Sequence, residues 1–140
     1  MQIFVIDSSV IVKWLHQENE QFIDQADAII NKARKNQIEL LAPELAKYEV
    51  GNALLVKKKL MPTQAKISLA SLYSLPIQFV HESEDIANET YKIAYRNSIT
   101  YYDASFIALA IAENAILVTD NIKHQGKISE INVIPLAKYK

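Results

Sequence analysis

Short apolar runs alternate with longer amphipathic segments along this chain of 140 residues. The apolar runs are rich in branched residues and predict five short strands, of the kind that is covered by helices on both faces. The amphipathic segments predict six helices, because their apolar residues recur at spacings of three and four. The predicted strands cover residues 3–6, 38–42, 77–80, 115–118 and 132–134, and the predicted helices cover residues 8–16, 20–35, 43–59, 62–74, 83–97 and 100–113.

This order of elements predicts an α/β fold, a three-layer α/β/α sandwich with a mostly parallel central sheet. No repeat, linker or break in composition divides the chain, so we expect one domain over residues 1–140. Three helix starts carry residues typical of that position: Pro43 as a first helical residue, Ser83 as an N-cap followed by two acids, and Thr100.

Composition excludes several classes of site. Half of the residues are hydrophobic and the formal net charge is -1, so no global positive field draws the chain to nucleic acid or to an anionic membrane. The absence of cysteine excludes disulfides and thiolate zinc sites, and the three histidines lie too far apart in sequence to indicate a metal site. No basic leader or long apolar run is visible, so we expect a soluble, cytoplasmic protein without a membrane partner.

Two acids occupy equivalent places at predicted strand ends. Asp7 directly follows the first strand, and Asp120 follows the strand 115–118 and Thr119. Ligands of open α/β sheets gather beyond the carboxyl ends of the strands, so these acids are candidates for a site. For either acid alone, a helix cap or a turn is the more ordinary interpretation.

A third acid, Asp103, lies in the first turn of the most apolar helix. It shares a stripe with Phe106, Ile107 and Ala110, which points it toward the interior. Its spacing from Thr100 also fits a capping box, so a structural role remains open.

A fourth acid, Glu49, interrupts an apolar stripe of the helix 43–59. Leu45, Asn52 and Val56 belong to the same stripe. An unpaired carboxylate on a buried face would cost several kcal/mol or be forced neutral. A solvated surface glutamate is the alternative, and the periodicity argues against it.

These four carboxylates have no basic partner nearby in sequence and would repel one another if they converged. A hard divalent cation would remove that conflict, and oxygen ligands favour Mg²⁺ or Mn²⁺. Such an ion binds phosphate and lowers the pKa of an attacking water, so the pattern indicates phosphodiester chemistry.

Four short motifs carry a family resemblance: Asp7-Ser8-Ser9, Glu49 with Asn52 three residues later, Tyr102-Asp103-Ala104, and Thr119-Asp120. Each is weak alone. In this order, and over nearly the whole chain, they make it resemble the PIN-domain nucleases, and among them the VapC-type toxins of prokaryotic toxin–antitoxin pairs.

The resemblance implies a metal-dependent endoribonuclease, with Mg²⁺ or Mn²⁺ as its cofactor. It implies that Asp7 and Asp103 chiefly hold the metal and that Glu49 and Asp120 complete the site. It further implies supporting roles for Ser9, Asn52 and Thr119. Many members place the last acid two positions after the threonine, where this chain has Asn121, so Asp120 and Asn121 remain alternatives for the last place. One metal, or two about 4 Å apart, would fit.

The resemblance also implies partners, namely an RNA substrate, a cognate antitoxin and a second copy of the chain in a homodimer. Local cations would have to hold the substrate phosphates, and the candidates are Lys13, Lys57, Lys58, Lys59, Arg96 and Lys123. The run of three lysines is also typical of a solvated helix end. The helices between residues 43 and 74 could supply an apolar surface to a partner or simply cover the sheet.

Three other functions remain open. A PIN-like protein could bind or process RNA without an antitoxin. A phosphoacceptor receiver of a signalling pathway also gathers acids around Mg²⁺, but it would need an acid pair near the first strand, where this chain has Ser8 and Ser9. A haloacid-dehalogenase-type phosphatase would need a second aspartate in place of Ser9.

Overall fold

The structure is a computed structural model that describes residues 1–120 and 131–140. The strands are β1 (Gln2–Ile6), β2 (Ile38–Pro43), β3 (Gln78–Val80), β4 (Ile116–Thr119) and β5 (Asn132–Pro135). The helices are α1 (Ser8–Leu15), α2 (Ile23–Arg34), α3 (Leu45–Val56), α4 (Pro62–Ser74), α5 (Glu84–Asn97) and α6 (Tyr101–Ala112), followed at the end by a 3-10 turn over Leu136–Lys138. None of the helices in the two described ranges is both long and apolar enough to cross a membrane.

All five strands run parallel in the order β3-β2-β1-β4-β5. This order reverses between β1 and β4, which is where open parallel sheets bind their ligands. It differs from the 2-1-3-4-5 order of receiver domains, so the receiver interpretation is wrong. Ile6 is paired with Val118 in the register of β1 and β4. The residues that follow them, Asp7 and Thr119, therefore emerge side by side at the carboxyl edge.

Helices cover both faces of the sheet, as the sequence predicts. The crossovers from β1 to β2 and from β3 to β4 run in opposite directions along the sheet, so right-handed connections place their helices on opposite faces. Helix α6 packs against β1, β2 and β4, with α5 outside it. Its residues 104–110 are all buried, and they join the central strands in one apolar core.

Three boundaries differ from the predicted ones by more than one residue. Pro43 does not open a helix but ends β2, where it is paired with Val80. A proline fits there because the N–H that donates to the Val80 carbonyl is that of Glu44. The second helix begins at Ile23 because Phe22 has a φ of 58° and so cannot belong to a right-handed helix. Glu20 therefore lies in a loop. Helix α3 ends at Val56, so the three lysines follow the helix.

Candidate active site

Asp7 caps α1 and is held there by three hydroxyl or amide donors. Its Oδ1 accepts the backbone N–H of Ser8 at 2.8 Å. Its Oδ2 accepts the hydroxyl of Thr119 at 2.6 Å and that of Ser9 at 3.2 Å. Ser9 in turn accepts the backbone N–H of Asp120, also at 3.2 Å. Asp7 is thus both a helix cap and a carboxylate fixed at the reversal point of the sheet.

Glu49 lies beside Asp7, although the predicted face of α3 is wrong. The helix buries Ala46, Val50 and Leu54, not the stripe that contains Glu49. The predicted stripe is rotated away from the core, so Glu49 is half-buried and faces a cavity. The Ser8 hydroxyl donates to its Oε1 at 2.6 Å, a contact that the sequence did not reveal.

Asp103 joins these two acids from the first turn of α6. Its backbone N–H donates to the Thr100 hydroxyl at 3.0 Å, so Thr100 caps the helix as predicted. Within the described residues, the half-buried Asp103 carboxylate makes no hydrogen bond or ion pair. It acts on the other two acids through charge.

Burial and repulsion raise the pKa of two of these acids, Asp7 and Glu49. Burial raises the pKa of Asp7, hydrogen bonds from Thr119, Ser9 and Ser8 lower it, and the Asp103 charge raises it again, with a net increase. Burial also raises the pKa of Glu49, the Ser8 hydroxyl opposes this, and the charges of Asp7 and Asp103 add to the increase. The three carboxylates therefore interact unfavourably, and no cation of residues 1–120 or 131–140 pairs with them.

Asp120 differs from the other three acids because it is paired. Its Oδ2 lies 3.1 Å from the Nζ of Lys13, whose side chain is only 1% exposed. Lys13 also donates to Glu20 at 2.9 Å and to the Gln21 carbonyl at 2.8 Å. The sequence predicts that Lys13 is a surface cation that binds RNA, and this prediction is wrong. Lys13 is instead the basic partner of Asp120 that the sequence seemed to lack.

Glu20 extends this pairing to the end of α3. Its second oxygen lies 2.7 Å from the Nζ of Lys58. Burial alone would raise the pKa of Glu20, but the hydrogen bonds and charges of Lys58 and Lys13 outweigh burial and lower it. A chain of alternating charge thus runs from Asp120 through Lys13 and Glu20 to Lys58.

A cavity of about 610 Å³ opens over Asp7, Glu49 and Asp120, but Asp103 does not line it. We call it the acidic cavity; it is lined by Asp7, Ser8, Ser9, Val12, Asn19, Glu20, Glu49, Asn52, Ala53, Val56, Lys57, Lys58 and Asp120. Asn52 is exposed to it, as a substrate-facing amide would be. Arg96 is exposed on α5 and does not line the cavity. Asn121 and Lys123 lie outside the described residues.

The donor set fits a hard cation. As they stand, no three histidine, aspartate or glutamate side chains of the described residues are arranged to hold a metal ion together. A divalent ion between Asp7, Glu49 and Asp103 would offset the repulsion and meet oxygen ligands only.

One prediction follows from the raised pKa of Asp7. Its ionised form is favoured more in the unfolded chain than in the folded one, so ionisation of Asp7 lowers the stability of the wild type as the pH rises from 3.8 through the raised pKa. Asp7→Asn has no such ionisation but loses one of the two oxygens that accept hydrogen bonds, so its stability relative to the wild type should increase over this pH range. Urea unfolding of both proteins in EDTA across this range measures the difference. A stability difference that does not change with pH would contradict this prediction.

The fold and the site together define a parallel α/β domain with an acidic centre at its reversal point. The PIN domain family model matches residues 4–128. The chain therefore belongs to the PIN domain family. No curated protein matches it.

Solved structures of toxin–antitoxin proteins share this fold. VapBC2 from Rickettsia felis, bound to a DNA fragment from its promoter, has 17% identity, covers 96% of this chain and 98% of its own, and has a TM-score of 0.72. DNA-bound VapBC from Salmonella typhimurium has 14% identity, coverages of 97% and 99%, and a TM-score of 0.72. VapC20 from Mycobacterium tuberculosis, a toxin that cleaves the sarcin–ricin loop, has 11% identity, coverages of 92% and 98%, and a TM-score of 0.68. At these identities the similarity shows the fold.

Proposed function

We propose that this protein is a Mg²⁺- or Mn²⁺-dependent endoribonuclease and the toxin of a toxin–antitoxin pair. The observation that carries the proposal is the group formed by Asp7, Glu49 and Asp103, three acids in mutual repulsion at the reversal point of a PIN-domain sheet. VapC20, which has the same fold, is an RNA-cleaving toxin. Its substrate supports RNA as the substrate class here.

Asp7, Glu49 and Asp103 would hold the ion, which supplies a Lewis acid and lowers the pKa of an attacking water. Thr119, Ser9 and the Ser8 amide keep the Asp7 carboxylate in place. The Ser8 hydroxyl occupies Oε1 of Glu49, whereas Oε2 is free within the described residues. Asp120 acts from further out, because Lys13 already binds it.

The partners are part of the same proposal. Helices α3 and α4 cover the core with Leu54 and Leu72 but leave Ile67 and Tyr73 about 70% exposed. Exposed apolar side chains of this size favour a protein partner. We assign this surface to an antitoxin or to a second copy of the chain, since VapBC proteins of the same fold are toxin–antitoxin assemblies.

The function is tested by incubating the purified chain, free of any partner, with single-stranded and structured RNA. Cleavage should require Mg²⁺ or Mn²⁺, stop with EDTA and resume when the metal is restored in excess. Equal cleavage in EDTA would overturn the metal-dependent proposal. Binding of RNA without cleavage under any metal condition would instead indicate a PIN domain that serves as an RNA-binding module.

A further inference from the structure

A second cavity, of about 260 Å³, adjoins the acidic cavity at the end of α3. The two cavities share three lining residues, Asn19, Lys57 and Lys58. Lys59 and Gln64 line only the second one. We call it the basic cavity. A ligand could therefore pass from one cavity to the other without leaving the surface of the protein.

The two cavities carry opposite formal charge. Four carboxylates and two lysines line the acidic cavity, whereas three lysines and one carboxylate, that of Glu18, line the basic cavity. Lys58 is neutralised by Glu20 and also donates to the Glu18 carbonyl. Lys57 and Lys59 have no side-chain hydrogen bond or ion pair within the described residues. Two free cations thus face a cavity next to the catalytic acids.

Lys59 lies two residues past the C-cap Lys57 of α3 and has a φ of 54°, and the N–H of Leu60 donates to the Leu54 carbonyl at 3.1 Å. Glycine suits a positive φ better than lysine does. Lys59→Gly therefore removes the charge of this side chain without straining the backbone.

Uncharged donors complete the lining. Gln64 uses its Oε1 to accept the backbone N–H of Met61, so its amide NH₂ is left for a ligand. His16 also lines the cavity, and its buried Nδ1 has no hydrogen-bond partner in the part of the chain that the structure describes. Lysine and amide donors of this kind bind phosphate oxygens and carry no base information.

We propose that the basic cavity binds a phosphate of the RNA backbone next to the one that is cleaved, with Lys57 and Lys59 as its charged contacts. This inference rests on the proposed function and adds to it a path for the substrate, from the acidic cavity toward the end of α3. A phosphate contact without base readout predicts affinity for single strands of any sequence.

Binding of a fluorescent, non-cleavable 2′-O-methyl oligonucleotide of about twelve nucleotides tests the proposal. It is measured in EDTA by anisotropy, so metal binding does not contribute. Lys57→Ala and Lys59→Gly should each weaken binding roughly fivefold at low salt and reduce the slope of log K against log[salt] by about 0.7. Lys59→Gly should also melt at the same or a higher temperature, because glycine relieves the backbone.

Two control variants show whether weaker binding results only from the change in net charge or only from placing glycine at a residue with positive φ. Lys35→Ala removes an exposed charge just before β2, at the opposite edge of the sheet. Asn36→Gly relieves another residue with positive φ without changing the charge. Neither should alter binding. Unchanged affinity and salt slope in both lysine variants would overturn the phosphate site.

The same samples distinguish this inference from the proposed function. If the wild type cleaves RNA and the lysine variants bind and cleave like it, only the phosphate site fails. If the wild type binds the oligonucleotide through these lysines and cleaves no RNA with Mg²⁺ or Mn²⁺, the phosphate site holds and the nuclease proposal fails.

Discussion

The Asp103→Asn protein is expected to lose RNA cleavage by at least about 100-fold while it stays folded. The substitution keeps the shape of the side chain and the bond from the Asp103 N–H to the Thr100 hydroxyl. It removes no other hydrogen bond within the described residues. It also relieves the repulsion on Asp7 and Glu49, so the metal-free variant should unfold at the same or a higher temperature. Single-turnover cleavage and a thermal melt measure the two effects.

Asp85→Asn is the matched control for this change. Asp85 lies in the first turn of α5, as Asp103 does in α6, but it is exposed and is not among the charges that raise the pKa of Asp7 and Glu49. Its loss should cost about 0.3–1 kcal/mol through the helix dipole and leave cleavage intact. An Asp103→Asn protein that cuts RNA as fast as the Asp85→Asn protein would show that the active site is assigned to the wrong residues.

Lys13→Met is expected to lower the free energy of unfolding by about 3 kcal/mol. Methionine fills the buried space but, among the described residues, leaves Glu20 without one of its two cations and Asp120 without any. Removing one partner of a buried ion pair is much more costly than removing an exposed pair. Urea unfolding at neutral pH measures the change.

Lys92→Met is the control, because Lys92 and Glu89 form an ion pair whose side chains are 64% and 57% exposed. Its effect should stay within about 0.5 kcal/mol. Adding Asp120→Asn to Lys13→Met should recover part of the lost stability, since the unpaired carboxylate is then gone. A Lys13→Met protein as stable as the Lys92→Met protein would mean that the buried lysine is not needed to balance the acids.

The sequence predicted the sheet and the strand-end acids because parallel strands leave a strong local pattern. Buried branched runs mark such strands, and their carboxyl ends must meet at one edge. Asp7 therefore lies beside Thr119 as the register requires, and Asp103 lies in the buried helix. The family match over residues 4–128 confirms the fold class on which this reasoning rested.

Predictions from the sequence are wrong where contacts between residues far apart in the chain determine the structure. The predicted buried face of α3 is displaced by one residue from the observed buried face. Exposed apolar residues such as Tyr48 and Leu55 flank the predicted stripe and make it resemble a buried one. The sequence places Glu20 in a helix, but the positive φ of Phe22 prevents that helix from beginning before Ile23. The position of Lys13 near the acids can be predicted from the sequence. Lys13 lies four residues after Ser9 and hence on the same face of α1.

The central claim is that Asp7, Glu49 and Asp103 hold the metal ion on which RNA cleavage depends. Mn²⁺ titration of the metal-free protein, with binding and RNA cleavage rate measured on the same samples, tests it most directly. We expect the wild type to bind Mn²⁺, the cleavage rate to rise with the occupied fraction, and Asp103→Asn to lose both. Equal Mn²⁺ binding by Asp103→Asn, or wild-type cleavage that is as fast before Mn²⁺ is added, would contradict the claim.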